Sequence, residues 1–376
     1  MSEWKEYNLN EVYDFASGLS KGAEEFGFGH GFLGFTDIFK NFFVPNELTS
    51  LVNSTEKEQQ SCSIKRGDVF LTRTSETDED LGMSCVALKD YPNATFNGFT
   101  KRLRPKGNVE ILPEYAGFYF RSPKFRATVS GMSSITTRAS LNNGMLAQLT
   151  ISVPEIEEQK AIADALFSLL KKVELLKRQN ETLENLAIAL FRKWFVVDAK
   201  EDWETGKLGD NVNIVYGKNL PTKNLLSQGF PVFGGNGQIG FFNEYLYEEP
   251  QVLVSCRGEA SGTVNITHSK SFVTNNSLVL KLTKNKNISF EYLKYFSLYT
   301  DYKVYATGSA QPQITIEVLN DAEILLPNKE LIEEFTQIVK DWELKRTNNT
   351  KQIIDLEKMS NALLPKLMNK EATIEI

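Results

Sequence analysis

The sequence predicts an α+β fold made of two tandem copies of one globular-plus-helix unit, whose two long helices pair as an antiparallel intramolecular coiled coil about a pseudo-twofold. Three observations carry this reading. The first is an internal repeat. Gln179, Leu183, Glu184, Ala189, Leu190 and Lys193 recur as Gln352, Leu356, Glu357, Ala362, Leu363 and Lys366 at one offset of 173. Ile151 and Pro154 match Ile324 and Pro327 at the same offset, Glu114, Tyr115 and Gly131 match Glu291, Tyr292 and Gly308 at 177, and Trp4, Leu9 and Gly18 match Trp203, Leu208 and Gly217 at 199. The first copy therefore carries about 26 extra residues before its helix, the difference between the outer offsets. Self-similarity at so long a period means repeated domains, not a solenoid. The second observation is a heptad pattern at the end of each copy, and the third is a set of short β-rich segments at matching places before it.

The elements follow in order. The first globular part spans 1–153, with Asp68–Thr72 and Phe96–Leu103 as strand candidates rich in β-branched and aromatic residues. Glu114–Phe120 and Pro123–Val129 read as short aromatic helices. The first long helix lies in 154–198, opened by Pro154 and the acids Glu155, Glu157 and Glu158, which suit a helix start. Its apolar seam runs Ile162, Leu166, Leu169, Val173, Leu176, Asn180, Leu183, Ala187, Leu190, Trp194, a heptad spacing. The second globular part, 199–326, repeats the first, with Pro250–Ser255 standing where Asp68–Thr72 stood and Glu291–Tyr299 where the aromatic helix stood. The second long helix lies in 327–376 with the seam Phe335, Val339, Trp342, Arg346, Asn349, Ile353, Leu356, Ser360, Leu363, Leu367, and Pro365 is expected to disrupt or end it. Setting Asn180 against Asn349 pairs Leu176 with Ile353, Val173 with Leu356 and Leu166 with Leu363; the poor pair is Leu183 with Arg346. A buried Asn can fix register at some cost in stability.

Bulk properties exclude several classes. Hydrophobic content of 41% with mixed charge reads as globular, and no apolar run approaches the roughly 20 residues of a membrane span. The opening MSEWKEYNLN lacks a signal-peptide pattern, and three scattered cysteines, Cys62, Cys85 and Cys256, suggest a reducing, cytoplasmic setting. His30 and His268 sit near no Cys pair, so no zinc site is expected. Net charge is −6, yet residues 96–138 carry a local +6 and residues 251–316 a local +4, at the same relative place in each copy. Salt screens charge over about 10 Å, so such patches outweigh the total and fit a polyanionic partner.

The motif search finds no catalytic constellation. The glycine-rich stretches Gly27–Gly34 and Gly234–Gly240 lack a following helical pattern, so turns or recognition loops are expected rather than dinucleotide loops. No GxxxxGK[ST], no NPPY or DPPY and no nuclease signature of Pro-Asp before (Asp/Glu)-x-Lys occurs; Glu248 and Glu249 read as surface charge. Thr307–Thr315 (TGSAQPQIT), with its counterpart Ser130–Arg138, is more informative: Gln can read adenine edges and Arg guanine, although a plain turn into a buried strand explains the segment equally well.

Two variable domains, each followed by a long helix, resemble the specificity subunit of type I restriction-modification enzymes. Ala189–Val196 (ALFRKWFV) is similar to that family's end of the first conserved helix, Ile151–Leu166 to the entry into it, and TGSAQPQIT with Ile324–Pro327 (ILLP) to the run into the second. The second helix departs from the first, ending LLPKLMN with Pro365 in place of Arg192 and no Trp-Phe. The resemblance implies a non-catalytic reader of double-stranded DNA: each target-recognition domain binds half of a bipartite site, and the helix pair spaces the halves and docks two methyltransferase subunits, joined by two motor-nuclease subunits for cleavage. It implies no cofactor in this chain, with S-adenosylmethionine in the methyltransferase and ATP and Mg in the motor partner. Leu166 to Trp194 spans roughly 42 Å of helix at 1.5 Å per residue, slightly more than the roughly 34 Å turn of B-DNA, which suits a split target with an unread gap. On this reading Arg73, Lys101, Arg102, Arg104, Lys124, Arg126 and Arg138 are the DNA-contact candidates of the first domain, and Lys218, Arg257, Lys284, Lys286, Gln311 and Gln313 those of the second. Two rivals stand beside it: a coiled-coil adaptor without sequence-specific DNA binding, which would not protect a duplex, and the reader part of a methyltransferase-nuclease enzyme, which would bind S-adenosylmethionine alone.

Overall fold

The computed structural model describes residues 4–75, 81–132, 139–283, 288–308 and 311–374. The chain divides into two compact units, residues 1–175 with 352–376, and residues 176–351. Each long helix is thus shared: Ile156–Arg192, continued by a wider turn over Lys193–Val197, and Lys329–Met368.

In the first unit Lys5–Asn8 pairs antiparallel with Thr150–Val153. A four-stranded antiparallel sheet follows in the order Tyr13–Ser17, Thr100–Pro105, Val69–Thr72, Ser84–Val86. A smaller sheet orders Leu51–Val52, Phe26–Leu33 and Thr95–Phe96. Helices Pro113–Tyr119 and Pro123–Met132 supply an aromatic core of Tyr115, Phe118, Phe120 and Phe125, closed by Ile162 and Leu166 of the first long helix and Leu364, Leu367 and Met368 of the second.

The second unit repeats this scheme. Glu204–Lys207 pairs with Glu323–Leu326; the larger sheet orders Val212–Tyr216, Ser277–Leu282, Val252–Ser255 and Val264–Ile266; the smaller orders Gly237–Phe242, Phe230–Gly234 and Phe272–Val273. Its core gathers Tyr292, Tyr295 and Tyr302 of the helical segments against Phe191, Phe195, Phe335 and Val339 of the long helices. Those helices run antiparallel here, since Asn180 meets Asn349 while Phe191 meets Phe335. Asn349, fully buried, donates to Asn180 Oδ1 at 2.9 Å and Gln179 Oε1 at 2.8 Å, which is the expected asparagine pairing. Arg346 does not face Leu183 alone: it ion-pairs with Glu184 and with Glu343. Of the seam residues expected from the heptads, Leu166, Val173, Leu176, Val339, Asn349 and Ile353 are buried, and Leu169, Asn180, Leu183, Leu190, Trp342, Leu356 and Leu363 are half-buried.

The residues of the sequence repeat hold equivalent joints. Tyr115 donates to the Ser152 carbonyl at 2.7 Å and Tyr292 to that of Leu325 at 2.8 Å, tying each aromatic helix to the strand that feeds a long helix. Gly18 and Gly217 cross so close to a neighbouring strand end that a Cβ would overlap the carbonyl oxygen of Asn97 or Thr274. Only glycine fits there.

Three expectations need correcting. Phe96–Leu103 is not one strand: Thr95–Phe96 joins the smaller sheet and Thr100–Pro105 the larger, with a turn at Gly98 and Phe99 between them. Pro365 does not stop the second helix, which continues to Met368. Pro365 falls in the last turn, where one lost hydrogen bond is outweighed by burial of Leu364, Leu367 and Met368. Gly27–Gly34 is no turn: it lies in strand Phe26–Leu33, and a helix, Phe35–Lys40, follows. Gly27 and Gly29, both at φ 96°, make the strand's bulge, a conformation open to glycine. In Gly234–Gly240 the turn is confined to the link between Phe230–Gly234 and Gly237–Phe242.

Candidate nucleic-acid interface

In each unit the larger sheet ends on one rim. Ser17, Thr72 and Thr100 end or begin their strands side by side, as Tyr216, Ser255 and Ser277 do in the second unit. The segments leaving these ends are fixed by backbone hydrogen bonds at matching positions. Arg73 N–H donates to Phe99 O and Cys256 N–H to Asn276 O, both at 2.9 Å. Leu141 N–H donates to Arg73 O at 2.8 Å and Ile314 N–H to Cys256 O at 3.1 Å. One residue on, Thr74 pairs with Ser140 and Arg257 with Gln313. Each ladder leads into a capped short helix, Asn143–Gln148 behind Asn142 and Ile316–Asn320 behind Thr315.

The second rim gathers four of the expected residues. Lys218, Arg257, Gln311 and Gln313 are all exposed. Lys218 follows the crossing at Gly217 and pairs with Thr274. Gln313 pairs with Thr307 through two backbone bonds of 2.8 and 2.9 Å. Among the described residues, the side chains of Lys218, Arg257 and Gln313 have neither hydrogen bond nor ion pair. Lys284 and Lys286 lie outside the described residues.

The first rim holds Arg73, half-buried, and Lys101, which donates to Ser17 Oγ and Asn143 Oδ1 at 2.9 Å each. Burial, followed by the nearby Arg73, holds the Lys101 pKa below its ordinary value. The remaining first-unit bases point elsewhere. Arg102 is buried and donates to the Ser61 and Ser63 carbonyls at 3.2 and 2.8 Å. Arg104 grips the fully buried Asp68 through Nε and Nη2 at 2.7 and 2.6 Å, and that bonding raises its pKa. Arg126 donates to the Leu81 carbonyl. Lys124 is exposed and lines a separate hollow with Trp4, Glu6 and Lys370. Arg138 lies outside the described residues.

Much of the local positive charge of residues 96–138 is therefore structural. Arg121 makes the point: it donates to the carbonyls of Ser84, Ile38, Phe39 and Asn41 at 2.7–2.9 Å, and burial pushes its pKa down to about 10, leaving it protonated at neutral pH. Loop carbonyls taken out of water need donors, and guanidinium supplies several at once.

Sequence reasoning missed Phe99, the most exposed aromatic of the first unit at 61%, beside Arg73 on the rim. An exposed ring beside a cation can stack on a base. The signal was the Asn97-Gly98-Phe99 turn, apolar where a turn is usually polar. Among the described residues no group of three or more His, Cys, Asp or Glu could hold a metal ion, and no helix is long and apolar enough to cross a membrane.

Comparison with known proteins agrees with this layout. A family model described as the type I restriction modification DNA specificity domain matches residues 1–185 and 200–358. The chain is 26% identical over 364 residues to the type I restriction enzyme MjaIX specificity subunit of Methanocaldococcus jannaschii, covering 86% of this chain and 82% of that one. It is 22% identical to the EcoprrI specificity subunit of Escherichia coli over 74% of this chain and 73% of that one. The fold is similar to the crystal structure of a type I restriction-modification S subunit from M. genitalium, with a TM-score of 0.61 at 16% identity, over 100% of this chain and 97% of the other.

Proposed function

The chain belongs to the type I restriction-modification DNA specificity family, and on that premise we propose that it reads a bipartite sequence in double-stranded DNA, one half through the rim of each unit, without performing chemistry itself. The observation that carries the proposal is the recurrence of one polar rim, built on the same strand ends, in both copies of a duplicated chain. Rigid strand ends position side chains well for groove contacts, where phosphate contacts orient and base contacts specify. Its partners would be two methyltransferase subunits that bring S-adenosylmethionine, and motor-nuclease subunits that bring ATP and Mg, docked along the long helices. The target-recognition domains correspond to 1–153 and 199–326 and the spacer helices to 154–198 and 327–376.

The direct test is single-molecule sequencing for methylated adenine in cells carrying this chain with its cognate methyltransferase. The expected result is a split motif that disappears when this chain is deleted. A continuous motif would refute the division of labour between the units.

Lys218 is assigned to phosphate. Lys218→Ala is expected to weaken binding to all sequences alike and to lower the slope of log K against log salt by about one. A salt titration of duplex binding checks this; an unchanged slope removes Lys218 from the interface.

A further inference from the structure

The matching ladders at the two rims carry an inference that rests on the DNA-reading proposal and sharpens it. Thr74 pairs with Ser140 in the first unit, and Arg257 with Gln313 in the second. Their frames are the same: the residue before each ladder takes an N–H from the strand that follows, Leu141 to Arg73 and Ile314 to Cys256. Both second strands then run into an N-capped helix. Within this shared frame the side chains differ sharply. One copy places two short hydroxyls on the ladder, the other a guanidinium and a carboxamide.

The second pair is built to face outward. Arg257 leaves Val252–Ser255, a wholly buried strand, so its backbone is held while its side chain is exposed. Gly258 N–H and Ser261 Oγ–H both donate to the Pro312 carbonyl, at 3.0 and 2.8 Å, which locks the segment after Arg257 to the residue before Gln313. Neither side chain is engaged among the described residues. An Arg and a Gln on adjacent strands fit the two bidentate pairings available in the major groove, Arg to the O6 and N7 of guanine and Gln to the N6 and N7 of adenine. A two-stranded ribbon is narrow enough to enter that groove.

We propose that Arg257 and Gln313 are specificity-determining residues, reading a guanine and an adenine in the half-site bound by the second unit, and that Thr74 and Ser140 occupy the same reading position in the first. Hydroxyls reach less far and accept either base type, so the first half-site is read at this position with less discrimination.

The test uses the complete complex with its methyltransferase. Arg257→Thr and Gln313→Ser, each carrying the first unit's residue, are assembled and assayed for methylation of duplexes bearing the wild-type motif and its single-base variants. Each variant is expected to lose about tenfold to a hundredfold discrimination at one base pair of one half-site, a guanine for Arg257→Thr and an adenine for Gln313→Ser. The other half-site and the gap stay unchanged. Two outcomes overturn the proposal: variants that assemble and melt as wild type yet keep the full preference, and a uniform loss of affinity on every sequence, which marks phosphate contacts. In both cases a wild-type split motif leaves the DNA-reading function standing, whereas a wild-type complex with no split motif overturns that function and the inference together. Lys218→Ala is the control for a uniform effect.

Discussion

Replacing Phe335 with alanine is expected to destabilise the second unit by about 3–5 kcal/mol, the range for removing a buried aromatic ring. Phe335 is fully buried on the second long helix. Its ring lies 5.1 Å from that of Phe195, 6.0 Å from those of Phe191 and Tyr295 and 6.3 Å from that of Trp194, mostly edge-to-face. It therefore joins three aromatics of the first helix to the aromatic helix Phe290–Tyr299. Aromatic pairs contribute beyond their buried area, and the rings around Phe335 are themselves packed on one another, so the cavity cannot close. Chemical denaturation of the full chain, followed by tryptophan fluorescence to which Trp194, Trp203 and Trp342 of this unit contribute beside Trp4 of the first, measures the change. Leu344→Ala, at a 62% exposed position on the same helix, is the control and should change stability by about 0.5 kcal/mol or less. A Phe335→Ala cost near that of the control would mean that the seam does not hold this unit together.

The repeat was readable in the sequence because its residues are joints rather than surface. Tyr115 and Tyr292 recur because each ties an aromatic helix to a strand, and Gly18 and Gly217 because a Cβ cannot fit at the crossing. The heptads were readable because a seam demands apolar residues at fixed spacing, whichever domain flanks it. Pro365 misled because a residue's cost in a helix depends on what its neighbours bury, and Leu364, Leu367 and Met368 are all buried.

The rim was only half readable. Charge density pointed to residues 96–138 and 251–316, yet of the described bases in the first stretch only Lys101 lies on the rim, because composition cannot tell an arginine that holds carbonyls from one that faces solvent. Arg102, Arg104 and Arg121 hold the protein's own chain; Arg257 does not. Nor can spacing reveal that residue 74 lies beside 140 and residue 257 beside 313, since those pairings are set by the sheet. Thr74, Ser140 and Phe99 are ordinary residues in the sequence and become candidates only by position.

The largest electrostatic effect is expected at Glu343. The Lys294 ammonium is almost wholly buried and pairs with the Glu343 carboxylate, which also receives Arg346 at 3.0 Å and the Tyr295 hydroxyl at 3.0 Å; Glu184 completes the cluster against Lys294 and Arg346. In the first unit, 173 residues earlier, Leu170 and Val173 stand where Glu343 and Arg346 do, so this layer is ionic in one copy and apolar in the other. Glu343→Ala leaves two cations sharing Glu184, one of them buried, and is expected to cost about 3 kcal/mol, the lower end for breaking a buried pair because the carboxylate keeps a third of its surface open. Lys294→Met with Glu343→Leu should cost less than Glu343→Ala alone, since no buried charge is stranded. A double variant as damaging as the single would show that packing, not charge, sets the loss. The pH dependence has a definite sign. Burial opposes the charge on Glu343, but Lys294 and Arg346 outweigh it and hold the pKa below the ordinary 4.5. A depressed carboxylate pKa gives stability that is fully present above the unfolded value and is lost as pH falls through the folded one. The stability gap between wild type and Glu343→Ala should thus be constant near neutral pH and shrink below about pH 4.5; a gap that widens on acidification would contradict the cluster.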